Sequence, residues 1–214
     1  MPPSYTLYSP AGSFRALAPL IAAEYNGVDI DVVTEGVKDA IKAKSPTGKA
    51  PILETPAGVI FSSHSIARYV GSIRRDTGLL GGSIQDRAAV DSWMDWTAQD
   101  VELPACVLFY PVAGYMATND QATTKAKEDM ASALKKVNDS LGDDKTFLVG
   151  DKITLADIIL ACTLLYPFKL VCDKAFLAAY PNVVRWYEGC VSLQEFEAVV
   201  GKVGICETSL AGKQ

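Results

Sequence analysis

The chain is poor in residues that bind metals or build disulfide frameworks. Among its 214 residues it holds one histidine, His64, and five cysteines, no two of which form a C-x-x-C pair. One histidine cannot complete a usual zinc site, and an odd cysteine count without a framework is typical of free thiols in a reducing compartment. The sequence therefore predicts no metal and no disulfide scaffold. The cysteines are Cys106, Cys162, Cys172, Cys190 and Cys206.

Long apolar segments and targeting signals are also missing. The longest apolar run, 158–168, has 11 residues and is interrupted by Thr163 and Pro167. A helix that spans a bilayer needs about 20 apolar residues. The first residues, Met1 to Tyr5, contain neither the basic region nor the apolar region of a secretory signal. We therefore expect a cytoplasmic protein without a membrane span.

Positive charge is scarce in the larger part of the chain. Residues 1–75 hold eight Lys or Arg against six Asp or Glu, whereas the remainder holds 12 against 19, a net charge of −7. Because phosphate binding needs a basic surface, we expect no direct contact with nucleic acid. Hydrophobic residues make up 49% of the chain and charged residues 21%, which allows a sizeable core and argues against disorder.

The stretch from Phe147 to Ile158 has the pattern of a helix start. Thr154 suits the N-cap position, because its hydroxyl can accept a hydrogen bond from a first-turn N–H. Asp157 stands three residues later, where its carboxylate can reach the backbone N–H of Thr154. The residues that follow, 158–165, are apolar on nearly all sides, which indicates a helix at the centre of a helical domain. Thr154 and Asp157 are therefore interpreted as structural capping residues.

Strand and helix signals alternate in the first 75 residues. Helical patterns follow or precede short β-prone runs in the order βαβαββα, which matches a thioredoxin-like layer of mixed sheet and helices. The strands are predicted at 5–8, 29–33, 51–54 and 59–61, and the helices at 13–26, 37–44 and 63–75.

Beyond these residues every periodic segment is helical. The segment 76–83 holds three glycines and reads as a linker. The predicted organisation is a thioredoxin-like domain over 1–75, a linker over 76–83 and an all-helical domain over 84–214. A first helix has its apolar face at Val90, Trp93, Met94, Thr97 and Val101, and a later one has its apolar face at Met130, Ala133, Leu134, Val137 and Leu141.

Several of these segments resemble the glutathione transferase superfamily, an α/β plus all-α fold. The resemblance covers essentially the whole chain, and it extends to one branch, the transferase-like N-terminal domain of the gamma subunit of elongation factor 1. It is carried by Thr6–Tyr8, Arg15–Leu17, Gly48–Ile52, Ile60–Val70, the capping segment 147–158, Pro181–Tyr187 and Val199–Glu207.

The resemblance implies a role in translation elongation. In that branch the domain holds the nucleotide-exchange subunit of the factor, and a charged linker and a further domain follow. Transferases usually form dimers, so a homodimer is an alternative assembly. The implied function is therefore a scaffold for the exchange subunit, with weak thiol-conjugating activity at most. The alternative function is an active S-transferase for glutathione or a related thiol.

The resemblance also implies a binding site for glutathione or a related thiol peptide as co-substrate. Transferases have a cis proline at the position of Pro51, and the backbone of Ala50 before it then pairs with the cysteinyl part of the peptide. Ser63 opens a helix, where its hydroxyl and N–H suit the γ-glutamyl carboxylate. Lys49 is placed to meet the glycyl carboxylate. Ser62 departs from the family pattern, which has an acidic residue that balances the ammonium group of the peptide.

The catalytic candidates implied by the resemblance are Ser9 and Ser13. Transferases activate the bound thiol with a hydroxyl near the start of the first helix, where the helix dipole favours a thiolate. Related serine transferases place this serine four residues before the arginine that matches Arg15, where this chain has Ala11. Ser13 is therefore interpreted first as the N-cap of the helix, and Tyr8 as a packing residue of the first strand.

Overall fold

The computed structural model describes residues 4–211. The first three and last three residues, which belong to the predicted domains 1–75 and 84–214, lie outside the described residues. The predicted order βαβαββα is confirmed. The strands are β1 (Tyr5–Tyr8), β2 (Ile30–Val33), β3 (Ile52–Thr55) and β4 (Gly58–Phe61), and the helices between and after them are α1 (Phe14–Asn26), α2 (Val37–Lys44) and α3 (Ser63–Ile73).

The four strands form one mixed sheet in the order β2-β1-β3-β4. Strand β1 pairs with β2 in parallel and with β3 in antiparallel orientation, and β3 and β4 form a hairpin. Leu7 lies opposite Leu53, and both side chains are fully buried. Because strand side chains alternate between faces, this register turns one face of the sheet toward α1 and α3.

The second half of the chain contains only helices within the described residues 84–200. The predicted first helix is interrupted, because α4 passes through a π-helical turn at Thr97–Val101 before it continues as α5. The predicted apolar helix that contains 158–165 extends from Leu155 to Leu170. The helices are α4 (Ile84–Trp96), α5 (Glu102–Val112), α6 (Asp120–Leu141), α7 (Leu155–Leu170), α8 (Lys174–Leu177), α9 (Pro181–Val191) and α10 (Gln194–Val200).

Helix α7 is the centre of the helical half, and the predicted capping box starts it. The carboxylate of Asp157 accepts hydrogen bonds from the Thr154 N–H and hydroxyl, each at 3.0 Å. It also accepts from the N–H of Leu148 at 2.8 Å and from Trp186 Nε1 at 2.9 Å. Asp157 is fully buried. Burial raises the pKa of Asp157, whereas the four hydrogen bonds that its carboxylate accepts act in the opposite direction and lower this pKa. Asp157 is therefore structural, and it joins the loop before α7 to α9.

The segment between α3 and α4 is packed into the protein. Leu79 is 1% exposed, and its carbonyl accepts a hydrogen bond from the N–H of Leu155 at 2.8 Å. Leu155 also approaches Gly71 of α3, where an added Cβ would lie 3.3 Å from Leu155 Cδ1. Helix α1 packs against α3, α7 and α10, so helices of both halves share one core.

The last described residues return along the end of α7. The N–H groups of Cys206 and Leu210 donate to the carbonyls of Phe168 and Leu170, at 2.9 and 2.8 Å. Asp173 caps α8 through the N–H of Phe176 and accepts a second bond from the N–H of Ser209, each at 3.0 Å. Among the helices of residues 4–211, none is long and apolar enough to cross a membrane.

Candidate functional site

The loop between β1 and α1 brings the predicted catalytic region to the boundary between the two halves. Ser13 occupies the N-cap position of α1, as expected, but its side chain makes no capping hydrogen bond. The expectation that the hydroxyl caps the helix is therefore wrong. Ser13 instead lines a cavity, and its N–H bonds to the carbonyl of Pro10 at 3.2 Å.

This cavity, here called the aromatic cavity, has a volume of about 490 Å³. One wall is the loop Pro10–Ser13, and the opposite wall consists of aromatic rings from α5, α7 and the turn after α5. Phe109 stacks on Tyr166 with ring centroids 5.3 Å apart, and Tyr110 meets Tyr115 edge to face at 5.6 Å. The cavity is therefore suited to an apolar, planar group beside the start of α1.

A second, more open cavity of about 850 Å³, here called the α2 groove, lies on the other side of the same loop. Its polar lining comes from Thr34, Lys38, Asp39 and Lys42. The two cavities share Pro10, Ala11 and Ala50, so they are neighbours across one loop and the start of β3. The bond between Ala50 and Pro51 is cis, as expected.

Ser62 and Ser63 lie at the start of α3. Ser63 is the first helical residue, as predicted, and Ser62 occupies the N-cap position. Ser62 is exposed and has φ 70°, the only positive φ of a residue other than glycine within 4–211. Positive φ is uncommon for such residues, and it often accompanies functional sites. No acidic side chain is present at this position to hold an ammonium group.

Arg15 is a charged group of the site whose contacts the sequence did not predict. It lines the aromatic cavity, forms an ion pair with Glu102, and donates from Nη1 to the Tyr110 hydroxyl at 3.1 Å. Burial alone would lower the pKa of Arg15, but the bonds to Tyr110 and Glu102 raise it. The guanidinium also shares a small gap between α1 and α3 with Ser63 and His64. The aromatic cavity is therefore lined by both Ser13 and a permanently charged arginine, two residues further along the chain.

The remaining candidates lie apart from the two cavities. Ser9 is 1% exposed and its hydroxyl is directed at the carbonyl of Pro10, 3.5 Å away. Lys49 is exposed and lines neither cavity. The Tyr8 hydroxyl donates to Glu54 at 2.9 Å and accepts from Lys44. Burial lowers the pKa of His64, which keeps the imidazole neutral at pH 7.

The arrangement can favour an anionic sulfur at the start of α1. A helix N-terminus stabilises a thiolate, and the Ser13 hydroxyl can donate a hydrogen bond to it. Ala50, beside the same loop, offers backbone groups for a peptide. Within residues 4–211 no group of three or more His, Cys, Asp or Glu side chains could hold a metal ion.

Sequence reasoning missed the aromatic wall. Phe109 and Tyr110 lie on α5, Tyr115 follows it, and Tyr166 lies on α7, so these rings meet only after the helices have packed. The signal in the sequence is weak, because aromatic residues at helical spacing are as common in cores as in sites. The contact of Arg15 with Glu102 was equally invisible, since 87 positions separate them.

Known families match both halves of the chain. The family model of the glutathione S-transferase N-terminal domain matches residues 3–72, and that of the glutathione S-transferase C-terminal domain matches residues 99–194. Elongation factor 1-gamma of Artemia salina is 36% identical over 208 residues, which are 94% of this chain and 47% of that protein. Elongation factor 1-gamma-A of Xenopus laevis is 38% identical over 213 residues, 94% of this chain and 48% of that protein. The chain spans about half the length of these relatives.

Solved structures share the fold. The GST-like domain of elongation factor 1-gamma from Saccharomyces cerevisiae has a TM-score of 0.83 at 20% identity and covers 99% of both chains. Poplar glutathione transferase F1 has a TM-score of 0.81 at 22% identity, over 92% of this chain and 96% of that chain. The chain therefore belongs to the glutathione S-transferase family and resembles its elongation factor 1-gamma branch.

Proposed function

We propose that the chain is a transferase-fold platform that holds the nucleotide-exchange subunit of elongation factor 1 in the cytoplasmic translation elongation complex. The supporting observation is the similarity of the chain to elongation factor 1-gamma. The Artemia salina protein is 36% identical over 94% of this chain, and the GST-like domain of the Saccharomyces cerevisiae factor shares the fold with a TM-score of 0.83. A platform needs a rigid surface, and the shared core of both halves supplies rigidity.

The test is binding between the purified chain and an N-terminal segment of the exchange subunit, with no nucleic acid present. We expect co-purification and a measurable heat of binding in calorimetry. Poplar glutathione transferase F1 is the control, because it has the same fold without the elongation-factor similarity. A folded chain that binds no better than this control would contradict the platform.

Self-association is a second assembly to measure in the same samples. Phe61 on β4 is 41% exposed and Leu103 on α5 is 69% exposed, so each half presents a large apolar side chain. We expect a homodimer in which these side chains are covered, because transferases pair through both halves. Sedimentation of the chain alone and of a Leu103→Ser variant tests this, and equal monomeric behaviour of both would refute the dimer.

A second candidate function is weak conjugation of glutathione or a related thiol to electrophiles. It is favoured by the cavity beside Ser13, whose hydroxyl caps nothing, and by the position of Ala50 between the two cavities. The uncharged Ser62 argues for weak affinity. A charge-assisted hydrogen bond contributes about 1.5–3 kcal/mol, which is roughly tenfold or more in affinity.

Glutathione affinity tests the site directly. Ser62→Glu should tighten binding by roughly tenfold, because it supplies a partner for the γ-glutamyl ammonium. Ser65→Glu is the matched control, since it adds the same charge at an exposed position of the same helix turn. Ser63→Ala should weaken binding through the loss of a hydroxyl donor. Equal affinities of the Ser62→Glu and Ser65→Glu variants would refute the proposed orientation of the peptide.

A measurement of turnover distinguishes the platform function from the enzymatic function. Conjugation to a common aromatic electrophile should be slow, because Ala11 stands at the usual activating position. Ser13→Ala should leave thermal stability unchanged, since the hydroxyl makes no cap bond, and should lower the remaining turnover. Robust turnover by the unmodified chain would reverse the ranking of platform above enzyme.

A further inference from the structure

One hydrogen bond joins the helical half to the loop that carries Ser13. The Tyr166 hydroxyl, on α7, donates to the carbonyl of Gly12 at 2.8 Å, across 154 positions of sequence. The ring of Tyr166 is held independently by its stack on Phe109. Burial raises the pKa of Tyr166, so the phenol is protonated and able to donate at neutral pH.

This bond fixes one side of a peptide unit that is also fixed on its other side. The carbonyl of Gly12 and the N–H of Ser13 belong to the same planar group. The N–H of Ser13 donates to the carbonyl of Pro10 at 3.2 Å, so both polar atoms of the unit are held. Gly12 has φ 71°, a conformation that only glycine adopts readily, and glycine also allows many others. The loop therefore depends on its bonds to keep one conformation.

The direction of the Ser13 side chain follows from this peptide unit. Ser13 lines the aromatic cavity and has no cap bond to hold its hydroxyl elsewhere. We propose that Tyr166 is a positioning residue, which holds the Gly12–Ser13 peptide so that the Ser13 hydroxyl faces the sulfur of a bound thiol. This inference rests on the proposed thiol site. Tyr166 acts through Ser13 and does not touch the sulfur itself.

The test compares Tyr166→Phe with Tyr180→Phe. Tyr166→Phe removes the hydrogen bond and keeps the stacked ring. Tyr180→Phe removes a phenol hydroxyl beside α9, at a residue that lines neither the aromatic cavity nor the α2 groove. Two quantities are measured for the unmodified chain and both variants: glutathione affinity by calorimetry, and the apparent pKa of the bound glutathione thiol from the ultraviolet absorbance of its thiolate.

We expect Tyr166→Phe to raise the apparent pKa of the bound thiol and to weaken glutathione binding by about three- to tenfold, the effect of one net hydrogen bond. Tyr180→Phe should change neither quantity. Amide exchange of the peptide that contains residues 10–13 should quicken in Tyr166→Phe alone, while thermal unfolding of both variants stays close to that of the unmodified chain.

The outcomes separate the two proposals. If the unmodified chain binds no glutathione, the thiol site and the role of Tyr166 both fail. If it binds glutathione and the two variants give the same thiol pKa, only the role of Tyr166 is overturned. A loss of affinity in Tyr166→Phe with an unchanged thiol pKa also overturns it, because a merely structural contact would give that result.

Discussion

Replacing Asp157 by alanine should destabilise the whole protein by several kcal/mol. The change removes the acceptor of four hydrogen bonds in a fully buried site. Two donors, the Leu148 N–H and Trp186 Nε1, lose their partner, and each buried donor left unpaired costs about 1–3 kcal/mol. Loss of the capping box adds about 1 kcal/mol. Removal of the buried carboxylate charge offsets part of this loss of stability, since burial disfavours the charged form and raises the pKa of Asp157.

The expected net loss is about 3–5 kcal/mol, a large part of the roughly 5–15 kcal/mol that stabilises a typical protein. For a chain of this size it corresponds to a fall in Tm of roughly 10 °C. Urea and thermal unfolding measure it. Trp186→Phe is the companion variant, because it removes one donor and leaves the carboxylate three.

A double-mutant cycle between the two positions completes the test. Once Trp186 is phenylalanine, Asp157→Ala leaves one fewer donor unpaired, so its cost should fall by about 1–3 kcal/mol. Additive losses in the cycle would refute the bond between the carboxylate and the indole. A loss of less than about 1 kcal/mol from Asp157→Ala alone, together with impaired ligand binding, would refute the structural role of Asp157.

Two further variants test other contacts of the helical half. The Tyr187 hydroxyl is buried and has no hydrogen-bond partner in the described part of the chain, so Tyr187→Phe should stabilise by about 1 kcal/mol in urea unfolding; a clear loss of stability would show that the hydroxyl is satisfied. N–H donors from Phe176 and Ser209 lower the pKa of Asp173 below its ordinary range. The stability from these bonds is therefore present above about pH 4 and is lost as pH falls through the lower folded value. Asp173→Asn should destabilise above that pH and approach the unmodified chain below it, and a pH-independent difference would contradict this assignment.

The elements that were predicted well depend on local patterns. The range of α2, 37–44, was correct, and the Thr154–Asp157 box was correct because its partners stand three residues apart. The cis Ala50–Pro51 bond came from family resemblance. The π-helical turn at Thr97–Val101 was missed, because apolar spacing continues across it without a break.

The site was harder to predict than the fold, because its contacts are long-range. Ser13 was placed at the right position but given the wrong bond, since residue type alone does not tell whether a hydroxyl turns to its helix or to a cavity. The start of α3 at Ser63 was predicted correctly, but the positive φ of Ser62 before it was not foreseen. Tyr166 received no role at all, because its partner Gly12 stands 154 positions away.

Leu79, the one buried residue of the segment between α3 and α4, bears on how the protein unfolds. Leu79 lies in the core, and its carbonyl accepts a hydrogen bond from the first N–H of α7. Separating the two halves would therefore expose the apolar site of Leu79 and would also break this hydrogen bond at the start of α7. Neither half is then an independent folding unit, and the chain should unfold in one step. An insertion at 80–82 should therefore disturb the centre of the helical half instead of being accommodated as extra loop length. A ligand or partner that binds only the folded form of one half should therefore also stabilise the other half against unfolding.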